Sequence, residues 1–362
     1  MTTNEFSSSV FTPEALNKNK FASARSGEKR KWVGHLRNTL RAAAFLLLSA
    51  TAVCPPAHAA TWKGYTYINT TQQPAWKAID ELSHKIEEIS GGKITIKNSL
   101  GGSLPIRVNE ITQAVGDGIL QFADDMSYVG NIPMSGVIRL PFLINSEKEY
   151  NIARKIWVRY MSQELAAHGV VLLAEYHYPP QVFFATKPLK DLQGVKGLKI
   201  RVSSAEQGEF IKKIGGVPIT LSVPEVAPAL QTGVVDGVLT ASIGGGTIWK
   251  DVLKSRFGLG VNWTNSIFIV NKGTWDALPS DTQSKILHAA RSVAGNVETE
   301  MMANEKAATE KLHAEGMTLS EPTPEQTASS TSVMRDYWQA WAKSKGPTAE
   351  KALSEILAAL KK

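Results

Sequence analysis

Between Gly197 and Gly237 the chain reads GLKIRVSSAEQGEFIKKIGGVPITLSVPEVAPALQTGVVDG, and no other stretch limits its possible folds as much. Leu198, Ile200 and Val202 alternate as a short strand with Arg201 near its C-terminal end. Ser204 and Gln207, or Ser203 and Glu206, have capping-box spacing and predict a helix start. Phe210, Ile211 and Ile214 form its apolar side, and Gly215-Gly216 ends it. Pro218 to Leu221 reads as extended, and Ser222 and Glu225 repeat the capping spacing with Pro224 in the first turn. Val226, Ala229 and Leu230 face a core, and Gly233 closes the helix before Val234-Val235-Asp236-Gly237. Strands and helices in strict alternation imply a largely parallel sheet and an α/β fold.

Ligands of open α/β sheets bind at the carboxyl ends of strands, where Arg201 falls. A guanidinium offers two parallel donors that match a carboxylate. On residue type alone, an internal salt bridge to Asp or Glu is the commoner fate for such an arginine, and a ligand contact is the alternative.

The run GLKIRV, then GG-x-P, then EV-x-x-ALQTG-x-VDG resembles the extracytoplasmic solute-binding subunits of TRAP (tripartite ATP-independent periplasmic) transporters, over nearly all of the chain after its leader. The resemblance implies a two-lobed periplasmic-binding-protein fold of type II character. Each lobe would be a mostly parallel sheet flanked by helices, with one long helix spanning both. It also implies that Arg201 holds a ligand carboxylate and that TRAP permease membrane subunits are the partner.

The N-terminal stretch is read apart from the fold. Lys29, Arg30, Lys31, Arg37 and Arg41 precede the apolar run Ala42 to Val53, and Ala57-His58-Ala59 has small-x-small cleavage character. Residues 1–59 therefore read as a secretory signal peptide with a long N-terminal extension, which places the mature chain in the periplasm. They also carry much of the charge. The whole chain holds 40 Lys/Arg and 33 Asp/Glu, and residues 1–59 take eight and three of these, leaving 32 and 30. A near-neutral mature chain gives no support to nucleic-acid binding. The single cysteine, Cys54, lies in the leader, so the mature chain has no disulfide or thiol chemistry.

Residues 60–178 are expected to form lobe I, with 266–305 returning to it. Residues 179–265 would form lobe II, with the terminal helices of 306–362 packed on it. Trp62 to Asn69 alternates as a strand, and a helix is predicted from about Ala75 to Ser90. Asn69 and Gln72, in the loop between them, are pocket candidates through the resemblance and ordinary turn polarity otherwise. Leu104 to Gly118 is predicted helical, and Glu110 falls where the family carries a glutamate near the ligand-binding arginine. The alternative for Glu110 is a surface ion pair with Arg107, one turn away. Met126 and Ser127 follow a strand end and so face a crevice. A helix is predicted over about 147–168.

The chain is expected to cross between lobes at Tyr178-Pro179-Pro180-Gln181. Some members of the resembled family place a second carboxylate-binding arginine where Gln181 stands. Glutamine keeps hydrogen-bonding capacity and loses the charge, which argues against a doubly clamped dicarboxylate. Thr240 falls at a pocket-asparagine position of the family, and Asn265, in Trp263-Thr264-Asn265, ends the second lobe's sheet. Trp249 is a core residue by default and a ring-stacking ligand contact in the alternative; with Phe183 and Tyr178 it points to an aromatic acid. Residues 281–315 read as one long helix, broken by Pro322 and Pro324, with terminal helices over 335–345 and 349–360.

No cofactor, no metal and no catalytic group is predicted. The histidines at 84, 168, 177, 288 and 313 lack metal-ligand spacing, and GxSxG, HExxH and GxGxxG are absent. Taken together, the sequence reads as a periplasmic protein that captures a small organic acid, a monocarboxylate above others, for a TRAP permease. The alternatives are a binding protein for an ATP-driven importer or sensor, and a secreted enzyme on a binding-protein scaffold.

Overall fold

The computed structural model describes residues 60–221 and 223–362. The leader (1–59) and the Ser222 half of the second capping box lie outside the described residues. In chain order the first lobe contributes β1 (Ala60–Thr66), α1 (Pro74–Ile89), β2 (Ile94–Ser99), α2 (Ile111–Gly116), β3 (Phe122–Asp125), α3 (Glu147–Ala167) and β4 (Val170–His177). The second contributes β5 (Gln181–Ala185), β6 (Lys199–Val202), α4 (Ala205–Lys213), β7 (Val217–Thr220), α5 (Val223–Gln231), β8 (Gly237–Thr240) and β9 (Ser255–Asn262). The chain returns through β10 (Asn265–Asn271), α6 (Lys272–Asp276) and α7 (Ser280–Ala314). It ends with β11 (Thr318–Ser320), α8 (Pro324–Lys345) and α9 (Pro347–Leu360).

The strands form two sheets, ordered β2-β1-β3-β10-β4 and β11-β9-β5-β8-β6-β7. The expected alternation over 197–237 gives the parallel set β7-β6-β8, and β2-β1-β3 is its first-lobe counterpart. Each sheet is mostly parallel, as expected, and is made mixed by a single reversed strand. β10 runs antiparallel to β3 and β4, and β5 runs antiparallel to β8 and β9. The cause is the pair of direct crossings: β4 passes to β5, and β9 to β10, without a helix to turn the chain round.

Ser204 accepts from the Gln207 backbone N–H and starts α4, so the first of the two capping registers is the one formed. α1 lays Ile79, Leu82 and Ile86 against the first sheet and α7, each fully buried and contributing about 1.5–3 kcal/mol. The 35 residues of α7 do span both lobes: Ile286 to Met301 pack in the first-lobe core, and Leu312 in a second-lobe cluster.

Three expectations are corrected. Residues 104–118 are not one helix; Leu104 to Arg107 stay irregular, a short 3-10 turn covers Val108–Glu110, and only Ile111–Gly116 is α-helical. Pro105 and the extended Arg107 (ψ 148°) keep the first turn from forming. α8 begins eleven residues early, at Pro324, because proline suits a first turn and Thr323 with Gln326 closes a capping box. The terminal helices also do not sit on lobe II as a group. α9 packs on α3 and on residues 133–139 of the first lobe, and Trp338 donates to the Pro141 carbonyl at 2.8 Å. The C-terminal end of α7 and β11 do sit on lobe II, through Leu312, the Lys250–Glu315 and Arg256–Glu321 ion pairs (2.8 Å each) and the pairing of β11 with β9, and Trp341 Nε1 of α8 donates to Glu206 Oε1 at 3.1 Å.

Candidate functional site

Register brings four side chains to one edge of the second sheet. Arg201 is the penultimate residue of β6, beside Val238, Thr240 ends β8 opposite Val182, and Gln181 opens β5 opposite Asn262, the last residue of β9. The first sheet presents its own ends to the same crossings: Tyr67 after β1, Met126 after β3, Tyr178 after β4 and Asn265 at the start of β10. The crossings are bonded together, with the Tyr178 N–H donating to the Thr264 carbonyl at 2.8 Å. The candidate site is the cleft edge where these two rows meet.

Arg201 is 6 % exposed, and its Nε donates to the Leu221 carbonyl at 3.0 Å. Among the described residues no carboxylate pairs with it, and only its Nε makes a hydrogen bond. Burial alone acts on the guanidinium and pushes its pKa down. A buried cation with one bond to orient it and two nitrogens uncommitted is suited to receive an anion. Beside it, the buried Gln207 accepts from Ser203 and donates through Nε2 to Asn262 at 2.9 Å.

Thr240 is buried, and its Oγ1 accepts from the Gly245 N–H at 3.0 Å. The turn that follows, Ser242–Gly246, is pinned by Glu305 of α7, whose two oxygens accept from the Ser242 and Ile243 N–H groups at 2.8 and 2.9 Å. Gly245 is required here: a Cβ would stand 2.1 Å from the Trp249 ring. Trp249, 5 % exposed, packs with Val182, Phe184 and Leu253, and Phe183, fully buried, packs on Phe210 and Phe257. Both aromatic candidates are thus placed in hydrophobic core.

The remaining sequence candidates divide. Gln181 is half-buried at the cleft edge, with one long contact from Nε2 to the Pro179 carbonyl (3.5 Å). Tyr178 is half-buried and shares a hydrogen bond with the Tyr67 hydroxyl. Asn265 is fully buried, and its Oδ1 accepts from Tyr128 and from Arg139 Nε (2.9 Å). Arg139 also donates to the Met126 carbonyl at 2.8 Å, and the Ser127 N–H donates to Asp125 at 2.6 Å. Glu110 is bonded to Arg107, so the structure forms the surface ion pair. Asn69 and Gln72 are exposed, and among the described residues only the Gln72 backbone finds a partner, Thr70 Oγ1.

Sequence reasoning missed the polar floor of the first lobe. Asp124 is fully buried and accepts from Tyr176 (2.9 Å to each oxygen), Ser266 (2.5 Å) and Thr66 (3.3 Å). Burial pushes its pKa up to about 7, and that of neighbouring Asp125 to about 6. Farther back, Arg154 pairs with Glu175 (2.8 Å) and Glu298 beside His177. Burial raises Glu298 to about 7 and lowers His177 to about 4. Paired acids at the end of a strand, Asp124-Asp125, were the available signal.

Two lobes, two strand crossings and a cationic cleft edge define a hinged α/β solute-binding protein. The chain matches the family described as bacterial extracellular solute-binding protein, family 7, over residues 65–345, and belongs to it. It is a TRAP extracytoplasmic solute-binding protein, of a family made up of periplasmic binding proteins rather than enzymes. An uncharacterized protein of Salmonella typhimurium, YiiZ, is 30% identical over 173 residues, 46% of this chain and 52% of its own length. The match thus spans about half of that relative. The C4-dicarboxylate-binding periplasmic protein DctP of Rhodobacter capsulatus is 24% identical over 232 residues, 61% of this chain and 68% of its own. Among solved structures, DctP7 of Bordetella pertussis, an extracytoplasmic solute receptor binding pyroglutamic acid, superposes with a TM-score of 0.73 at 24% identity, over 84% of this chain and 100% of that one.

Proposed function

We propose that this chain captures a small organic acid, a monocarboxylate above others, between its lobes and delivers it to a TRAP membrane permease after export by a cleavable signal peptide. Arg201 carries the reading: a buried guanidinium with no carboxylate partner among the described residues stands at the cleft edge. Closure would exclude water and strengthen its pairing with an anion, and a ligand that touches both lobes favours the closed state by its differential affinity. Gln181, uncharged at the neighbouring strand start, supports one fixed charge contact rather than two. Structural likeness to a pyroglutamate receptor agrees with a monocarboxylate, whereas the C4-dicarboxylate relative represents the other choice. The test is a thermal-shift screen of residues 60–362 against mono- and dicarboxylates, sugars and amino acids, repeated on Arg201→Ala. Stabilisation by monocarboxylates that the variant loses supports the reading; stabilisation by neutral sugars alone refutes it.

A further inference from the structure

Arg139 comes three residues before Phe142, whose N–H donates to the Val261 carbonyl of the second lobe, and nothing so far assigns it a role. Its Nη2 donates to the Met126 carbonyl just past β3 (2.8 Å) and to the Asn265 carbonyl, and its Nε donates to Asn265 Oδ1 at 2.9 Å. The guanidinium carbon lies 4.6 Å from the centre of the fully buried Tyr128 ring. These contacts hold the group over the C-terminal end of β3, beside the second strand crossing. Strands β1, β2 and β3 run parallel, as do β6, β7 and β8, and ligands of such sheets bind in the crevice at the C-terminal strand ends. Arg139 stands at that edge of the first sheet as Arg201 stands at that edge of the second.

The two arginines differ in what they can still bond. Arg201 has spent only Nε, so both terminal nitrogens remain for the two oxygens of a carboxylate. Arg139 has spent Nε once and Nη2 twice, which closes the two-pronged approach. Among the described residues its Nη1 makes no hydrogen bond, and on this half-buried side chain that nitrogen stays open to solvent. The acids around it are bonded elsewhere. Asp125 accepts from Thr112 Oγ1 and the Ser127 N–H, both at 2.6 Å, and Glu175 pairs with Arg154 at 2.8 Å. One charged nitrogen, fixed in direction by three bonds on the rest of its group, suits one oxygen rather than a carboxylate pair.

We propose that Arg139 is a specificity residue of the cleft, its Nη1 donating to a carbonyl oxygen that the captured acid carries besides its carboxylate. The inference rests on the proposed capture of an organic acid and adds the chemistry of its second group. Arg201 holds the carboxylate from lobe II and Arg139 reads the carbonyl from lobe I, so oxo, acyl and lactam acids are favoured over plain alkanoates. Such a ligand touches both lobes, as selection of the closed state requires. Hydrogen bonds from a charged donor are the stronger ones, and an acid without the carbonyl leaves Nη1 unpaired in a cleft closed to water.

Calorimetric titration of residues 60–362 tests this with matched acids: pyruvate and propionate, levulinate and valerate, pyroglutamate and cyclopentanecarboxylate. In at least one pair the carbonyl-bearing acid is expected to bind about tenfold tighter or more. Arg139→Met should remove that preference and leave affinity for the carbonyl-free partner within about twofold of wild type. Should that variant fail to fold, Arg139→Lys decides. A single ammonium cannot hold both backbone carbonyls and still aim a fixed donor outward, so the preference should shrink by about threefold or more. Equal affinities within every wild-type pair, or a preference that survives these variants, overturn the inference with acid capture intact. Succinate bound more tightly than its monomethyl ester overturns it too, since Arg139 would then be serving a second carboxylate. Arg201→Ala separates the two claims. If it binds the preferred acid as tightly as wild type does, or if no acid binds wild type, the carboxylate reading itself fails and the inference falls with it.

Discussion

Phe142 of the first lobe places its ring edge-on against Phe210 of the second, with ring centres 4.6 Å apart. Its N–H donates to the Val261 carbonyl at 2.8 Å, and its backbone holds φ at +58°, a region that costs a bulky side chain about 1 kcal/mol or more. The lobes thus touch at a packed contact as well as through two strand crossings. Phe142→Ala should cost about 3–5 kcal/mol in urea unfolding. A loss below 1 kcal/mol would show that the contact is dispensable.

Arg201→Ala should weaken binding of the captured acid by about a hundredfold or more, the usual consequence of leaving a buried charge unpaired. Arg201→Lys should recover part of that, since it keeps the charge and loses the two-pronged geometry. Calorimetry reads both. Unchanged affinity in Arg201→Ala would leave the residue a structural one.

Stability should fall as pH rises from about 4 to 8. Burial lifts Asp124 to about 7, Asp125 to about 6 and Glu298 to about 7, so the folded chain keeps protons that the unfolded chain releases near pH 4. Each such contribution is complete below pH 4 and lost as pH passes the folded value. His177, lowered to about 4, acts the other way between pH 4 and 6.5, one group against three. A melting temperature a few degrees higher at pH 5 than at pH 8 is expected, with a flatter profile in Asp124→Asn. A rising profile would contradict this balance.

Glu305→Ala should destabilise the protein by about 1–3 kcal/mol, because two N–H groups of the Ser242–Gly246 turn lose their acceptor. Hydrogen exchange at Ser242 and Ile243 should accelerate before that of β8. Protection equal to wild type would mean that another group holds the turn.

Much of the fold was legible because its signals are local. Ser204 before α4, Pro74 at the start of α1 and the glycines after α4 and α5 act within a few residues of themselves. The strand ends followed, and with them Arg201, Thr240 and Gln181 at one edge. What escaped is set by partners far away in sequence. Asn265 read as a cleft residue, yet Arg139, 126 positions earlier, and Tyr128 engage it in the interior. Asp124 gathers hydroxyls from three other strands, and no periodicity announces such a meeting. Phe183 and Trp249 advertised ring stacking, but an aromatic side chain has the same signature whether it meets a ligand or Phe257.

β10 lies between β3 and β4, although it emerges from the ribosome about ninety residues after β4. Until residue 271 is available, the first sheet is two fragments with a gap where its central partner belongs, and both flanking strands expose unpaired edges. Closing that gap is a long-range, slow event by its topology. Placing the keystone strand late delays folding until most of the polypeptide has been made.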